Sequence, residues 1–198
     1  NPFKPNKDPH GFYIAPFKEK NDFKNNFRGK FQIQGSISLK QKSIYLLAFG
    51  ETIPSKNNFL EIDINNKDKW GLPICKINFN WSQNDIEMWK YQNKILEELV
   101  NNFEKEMNIK FDRRDKINKP LLGTAHESGG ARMGSDPKNS VVNEYCRLWD
   151  SPNVLVCDAS NFPSIGYQNP ANTSMAITIR ACKNISKIAK NKIDLKKI

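Results

Sequence analysis

The chain has 198 residues, enough for one large domain or two small ones. Apolar residues make up 38%, and 31 basic against 21 acidic residues give a formal net charge of +10. The lysines are spread along the chain rather than gathered in one stripe, so a solvated basic surface is expected and nucleic-acid binding is not.

Residues 1–28 are rich in Pro, Lys, Asn and Phe without a sustained period, and read as loop or extended chain, a connection or a lid. Phe31, Ile33 and Ile37 alternate with polar residues, which predicts a half-buried strand. Ser43 to Phe49 is apolar on both faces, which suits a central, covered strand. Pro54 to Asn58 is a turn. Leu60, Ile62 and Ile64 alternate with Glu61 and Asp63 as a further strand, closed by a turn over Asn65–Asp68. Cys75, Ile77, Phe79 and Trp81 alternate with Lys76, Asn78 and Asn80, a strand with one wet face. Four strands with short connections predict one antiparallel sheet.

A helix over 84–108 follows. Ser82 and Asp85 form a capping pattern, serine first and an acid three residues later. Leu96, Leu99, Val100, Phe103 and Met107 share one face at helical spacing and should cover the sheet. After Pro120 the composition turns to Gly, Ser and small residues. Val154-Leu155-Val156-Cys157 reads as a short buried strand ending at Asp158. Asn161 to Pro170 is loop. Ser174 to Lys190 reads as a second helix with Met175, Ile179, Cys182, Ile185 and Ala189 on one side. The class is therefore α+β, with a first domain over 1–120 and a second segment over 121–198.

The cysteines, Cys75, Cys146, Cys157 and Cys182, include no C-x-x-C pair, and with only His10 and His126 there is no zinc pattern. Buried or half-buried free thiols are expected. No apolar run approaches membrane-spanning length. The chain begins at Asn1 rather than Met, so an upstream N-terminus is expected, and localisation depends on it.

Two segments hold residues suited to chemistry. The first runs from Gly123 to Gly134 and sets His126 among glycines. An imidazole accepts a proton near neutrality, and Gly129-Gly130 lets backbone approach a flat ligand. An ordinary packed or surface histidine is the competing reading. The second runs from Gly166 to Asn172 and leads into the last helix, with Asn172, Thr173 and Ser174 as cap candidates. Asn169 offers a side-chain amide beside a helix N-terminus, where free N–H groups favour negative charge. An ordinary turn and cap is equally compatible. Asp158-Ala159-Ser160 closes the predicted buried strand. It suits either hydrogen bonds to a ligand's hydroxyls in a crevice or an Asx turn.

These motifs resemble the C-terminal region of the glucose–methanol–choline (GMC) family of FAD-dependent oxidoreductases. The resemblance is carried by His126-Glu127-Ser128-Gly129-Gly130-Ala131-Arg132-Met133-Gly134, by Ser140-Val141-Val142-Asn143, by Pro152-Asn153-Val154-Leu155-Val156-Cys157-Asp158-Ala159-Ser160 and by Asn169-Pro170, in order. Gly50-Glu51-Thr52-Ile53-Pro54 and Lys67-Asp68-Lys69-Trp70-Gly71-Leu72-Pro73 look like the family's substrate domain, so the likeness covers 45–190. It implies an antiparallel-sheet substrate domain over 1–120. It also implies that 121–198 is the C-terminal strand and helix of an FAD domain.

By this resemblance His126 is the base that takes the alcohol proton and Asn169 helps hold the substrate oxygen, while the substrate carbon gives a hydride to the flavin. Asp158, Ala159 and Ser160 belong to the segment that touches FAD, and Asn169, Pro170 and Ala171 approach the isoalloxazine. The last helix would point its N-terminus at the ring and favour the anionic reduced form.

One departure matters. The family's Gly-x-Gly-x-x-Gly, where the FAD pyrophosphate binds, does not occur in these 198 residues. The chain is thus expected to be the C-terminal part of a longer enzyme whose N-terminal dinucleotide-binding part is its partner, and to be inactive alone. The implied partner molecule is an alcohol or sugar, and the electron acceptor (oxygen, quinone or a cytochrome) is open. The alternative is a non-catalytic GMC-like remnant or partner-binding module.

Overall fold

The computed structural model describes residues 10–14, 27–38, 40, 42–112 and 126–190. The chain divides into two compact units. One comprises Asn1–Thr52, Trp81–Leu122 and Gly166–Gln168; the other comprises Ile53–Asn80, Gly123–Ile165 and Asn169–Ile198.

The first unit holds a three-stranded antiparallel sheet, β1 (His10–Ile14), β2 (Phe31–Ser38) and β3 (Ser43–Gly50), in that order. β1 falls in the stretch read as loop or extended chain, and here the extended alternative holds. Its pairing with β2, from His10 opposite Ile37 to Ile14 opposite Ile33, supplies what a short segment without alternation does not advertise. β2 is therefore the central strand, and its first three residues, Phe31, Gln32 and Ile33, are buried on both faces. The prediction that 43–49 is central is corrected: β3 pairs on one side only among the described strands, and Tyr45 is exposed.

A long helix, α1 (Gln83–Met107), covers this sheet. Its start is the predicted capping box. Ser82 Oγ accepts the Asp85 N–H at 3.2 Å, and the Asp85 carboxylate accepts the Ser82 N–H at 2.9 Å. It ends at Asn108 in the left-handed region, whose N–H donates to the Glu104 carbonyl.

Phe31, Ile33 and Met88 form the buried centre, with Leu46, Ala48, Tyr91, Ile95, Leu96 and Leu99 packed around it. Phe31, Ile33 and Met88 each contribute about 1.5–3 kcal/mol through removal from water. The close approach of helix and strand needs Gly50, because a Cβ there would lie 2.5 Å from both Met88 Sδ and Gln92 Nε2. The predicted apolar stripe holds only in its first part, since Phe103 and Met107 are exposed. Length explains this: 25 residues of helix run about 37 Å, against about 27 Å for an eight-residue strand.

The second unit holds the antiparallel hairpin β4 (Phe59–Lys67) and β5 (Pro73–Asn78), the irregular stretch from His126 to Ile165 and the helix α2 (Ala171–Lys190). The four strands expected in one sheet thus lie in two, because alternation marks a strand without naming its partner. The turn expected at Asn65–Asp68 begins later. β4 continues through a register shift to Lys67, and the Asp68 carboxylate then accepts the Trp70 and Leu72 N–H groups at 2.8 and 3.0 Å.

Leu60, Ile62 and Ile77 share one face of this hairpin and are exposed, as is Ile64 beyond the last regular pair, Ile62 and Ile64 by 71% and 73%. In α2 the buried residues are Ala181 and Ile188, while Met175, Ile179 and Cys182, expected on one shared apolar side, are exposed. Val154–Cys157 makes a single bridge, Leu155 with Arg147, rather than a buried strand, because no neighbouring strand among the described residues extends the pairing. Of the cysteines only Cys146 is buried; Cys75, Cys157 and Cys182 are exposed, against the expectation for all four.

Candidate functional site

Gly123, Thr124 and Ala125 of the predicted motif lie outside the described residues. His126 opens the described part with φ 73°, in the left-handed region that residues carrying a Cβ seldom occupy. Such a conformation persists where surrounding structure imposes it, and it concentrates at functional sites. Gly129, at φ +85°, needs the freedom that only glycine has.

From there the segment runs along the 3-10 turn Ala159–Asn161. The N–H groups of Gly129, Ala131 and Met133 donate to the carbonyls of Ala159, Ser160 and Asn161 at 3.4, 2.9 and 2.8 Å. Alternate residues of one segment thus meet successive residues of the other. On its far edge, the Gly134 N–H donates to the Val142 carbonyl at 2.9 Å, and the Val141 N–H to the Arg132 carbonyl at 2.9 Å. Gly130 lets the hairpin approach: a Cβ there would sit 2.8 Å from Leu60 Cδ1.

Asp158 caps the 3-10 turn. Its carboxylate accepts both the hydroxyl and the N–H of Ser160, the latter at 2.8 Å. These bonds, the hydroxyl's first, hold its pKa below the ordinary 3.8. The Asx-type turn weighed from sequence is therefore present. Asp158 remains exposed, so the carboxylate keeps lone pairs directed to solvent.

Asn169 is exposed and lies two residues before α2. The Pro170 carbonyl accepts the Ser174 N–H at 2.9 Å, so Pro170 takes the cap position. Asn172, Thr173 and Ser174, expected as caps, lie instead in the first turn. Helix α2 is fastened within its unit by Arg180 Nη2, which donates to the Glu144 carbonyl at 2.6 Å, while the single Thr178 hydroxyl proton is shared between the Ser174 carbonyl of its own helix at 2.9 Å and the Cys157 carbonyl at 3.3 Å. The fold thus brings the His126 segment against Asp158–Asn161.

Two residues that sequence reasoning did not single out are buried in this unit. Asn161 is 1% exposed, and its Nδ2 donates to the Val156 carbonyl at 2.9 Å and to Cys146 Sγ at 3.3 Å. Arg147 is 3% exposed, and its Nε and Nη1 have no hydrogen-bond partner. Cys146 itself has φ 65°, and burial, with Cys157 nearby, pushes its thiol pKa up. No sequence signal marks either residue, since polar residues in irregular stretches are usually solvated.

No helix of the described residues is long and apolar enough to cross a membrane, and no group of three His, Cys, Asp or Glu among them is placed to hold a metal ion.

Comparison with known proteins gives a family match. A family model described as GMC oxidoreductase matches residues 54–178. Among similar curated proteins is the gluconate 2-dehydrogenase flavoprotein of Pantoea cypripedii, 37% identical over 131 residues, which are 65% of this chain and 21% of that protein. The 2-methyl-1,2-propanediol dehydrogenase of Mycolicibacterium austroafricanum is 29% identical over 179 residues, 90% of this chain and 29% of that protein. The fructose dehydrogenase large subunit of Gluconobacter japonicus is 24% identical over 138 residues, 68% of this chain and 24% of that protein. The matched part of the chain thus spans less than a third of the length of each of these relatives.

Proposed function

This chain belongs to the GMC oxidoreductase family, and from that membership we propose that it is the C-terminal portion of an FAD-dependent enzyme that oxidises a CH–OH group of an alcohol or sugar. Such an oxidation removes a hydride from carbon and a proton from oxygen. Bound FAD supplies the hydride acceptor. The residues of this chain supply the rest. His126 takes the hydroxyl proton, and the Asn169 amide holds the substrate oxygen in reach of it. Asp158, Ala159, Ser160, Asn169, Pro170 and Ala171 form this chain's share of the cofactor contact.

The observation that carries the reading is the strapping of the His126 segment to the 159–161 turn by the amides of Gly129, Ala131 and Met133. It sets a left-handed histidine backbone on the same support as the Asp158 carboxylate. The donor set fits the cofactor. Asp158 is an exposed, ionised acceptor suited to ligand hydroxyls. The head of α2 carries N–H groups without intrahelical partners and partial positive charge, suited to an anionic ring edge. The relatives' names, gluconate, 2-methyl-1,2-propanediol and fructose, are all hydroxyl compounds, which supports the alcohol-or-sugar class.

The dinucleotide-binding part is the partner that completes the site. Flavin absorbance tests this division of labour. The 198-residue chain purified by itself is expected to retain no stoichiometric flavin, and the polypeptide that includes a Gly-x-Gly-x-x-Gly segment is expected to retain it. Stoichiometric flavin on the 198 residues alone, or on neither form, would overturn the assignment.

A further inference from the structure

The geometry points to Asn161 as a positioning residue for the candidate site, a role that rests on the oxidoreductase reading above. Three separate stretches of chain meet at this one residue. Its Nδ2 donates to the Val156 carbonyl at 2.9 Å and to Cys146 Sγ at 3.3 Å, and its main-chain carbonyl accepts the Met133 N–H at 2.8 Å. The side chain is 1% exposed, so water does not replace these bonds.

The two side-chain bonds anchor the end of the 159–161 turn to the stretches that hold Cys146 and Val156. The turn in turn presents the three carbonyls that fix Gly129, Ala131 and Met133, and with them the segment that begins at His126. Asn161 therefore acts on His126 through the turn and touches no reacting atom. Its Oδ1 is buried with no partner, so the side chain works through its donor end alone.

This makes two substitutions informative. Asn161→Leu keeps a similar volume and removes both donated bonds. Asn161→Asp keeps the shape, and its carboxyl donates an O–H while protonated and nothing once rising pH ionises it.

The test uses the flavin-loaded enzyme and whichever of gluconate, fructose and 2-methyl-1,2-propanediol reduces its flavin fastest. Both variants are expected to retain flavin and substrate KM within about twofold and to lose about ten- to a hundred-fold in the rate of flavin reduction, the scale of a misplaced catalytic group. As pH falls, the Asp variant is expected to recover relative to the unsubstituted enzyme, and the Leu variant is not. Equal rates in all three forms, or no difference between the two variants' pH profiles, would overturn the role.

His126→Ala is measured beside them. Normal flavin reduction in that variant would sink the reading of the site while leaving Asn161 to be judged on amide exchange. There, faster exchange of the Gly129, Ala131 and Met133 N–H groups in Asn161→Leu supports the anchoring, and unchanged exchange refutes it.

Discussion

The Ala131 N–H donates to the Ser160 carbonyl at 2.9 Å, and this bond ties the glycine-rich segment to the turn capped by Asp158. It is the middle of three such bonds, so the segment is held to the turn at three points. Two readings of the sequence, a histidine among glycines and an acid beside a serine, thus describe a single local structure.

The segment depends on Gly129. A Cβ there would lie 3.5 Å from the Phe162 carbonyl oxygen, an ordinary contact, so space does not forbid alanine. The backbone does, because φ is +85°. Gly129→Ala is expected to destabilise the fold by about 1–2 kcal/mol, the cost of a left-handed conformation for a residue with a Cβ. Denaturant unfolding measures it, and an unchanged midpoint would contradict the imposed conformation.

Asp158 makes a pH-dependent contribution whose sign follows from its lowered pKa. The folded value lies below 3.8 because Ser160 donates to the ionised form. The associated stability is fully present above 3.8 and is lost as pH falls through the lowered value. In an NMR titration, the carboxyl should titrate below 3.8 in the unsubstituted protein and move back toward 3.8 in Ser160→Ala. Titration of the unsubstituted protein at or above that value would count against the cap.

The capping box of α1 is separable from the site. Ser82→Ala removes an acceptor from the Asp85 N–H and is expected to cost about 1 kcal/mol. Ser82→Asn should cost little, since asparagine serves equally as an N-cap. Equal losses for both substitutions would show that the serine matters for another reason.

Thiol labelling distinguishes the cysteines. Cys75, Cys157 and Cys182 are exposed and should react in the folded protein, whereas Cys146 is buried with a raised pKa and should react only on unfolding. Reaction of Cys146 at the rate of Cys75 would refute the packing described for Asn161.

Local sequence rules recovered features that depend on nearest neighbours. Ser82 and Asp85 form their box because both partners lie within one turn. β2, β4 and β5 each show as strands through alternation, and β3 through a run apolar on both faces. Features that depend on distant partners were not legible. β1 exists through its register with β2, and β2 rather than β3 is the central strand of the described sheet because β1 occupies its other side. Asn161 sits in a stretch that reads as solvated loop, and its burial follows only from the convergence of three segments. In the candidate site, His126, Asp158 and Ser160 stood out by residue type, yet nothing local announces that residues 129–133 run against 159–161.

The most direct measurement is rapid-reaction flavin reduction in the flavin-loaded enzyme carrying His126→Ala. The proposed role requires flavin content to stay unchanged and the reduction rate to fall on the order of 10²–10⁴-fold, the usual contribution of a positioned general base. The loss should lessen as pH rises and hydroxide or an external base takes over the proton. A rate near that of the unsubstituted enzyme, with flavin bound, would contradict the assignment of His126 as the base.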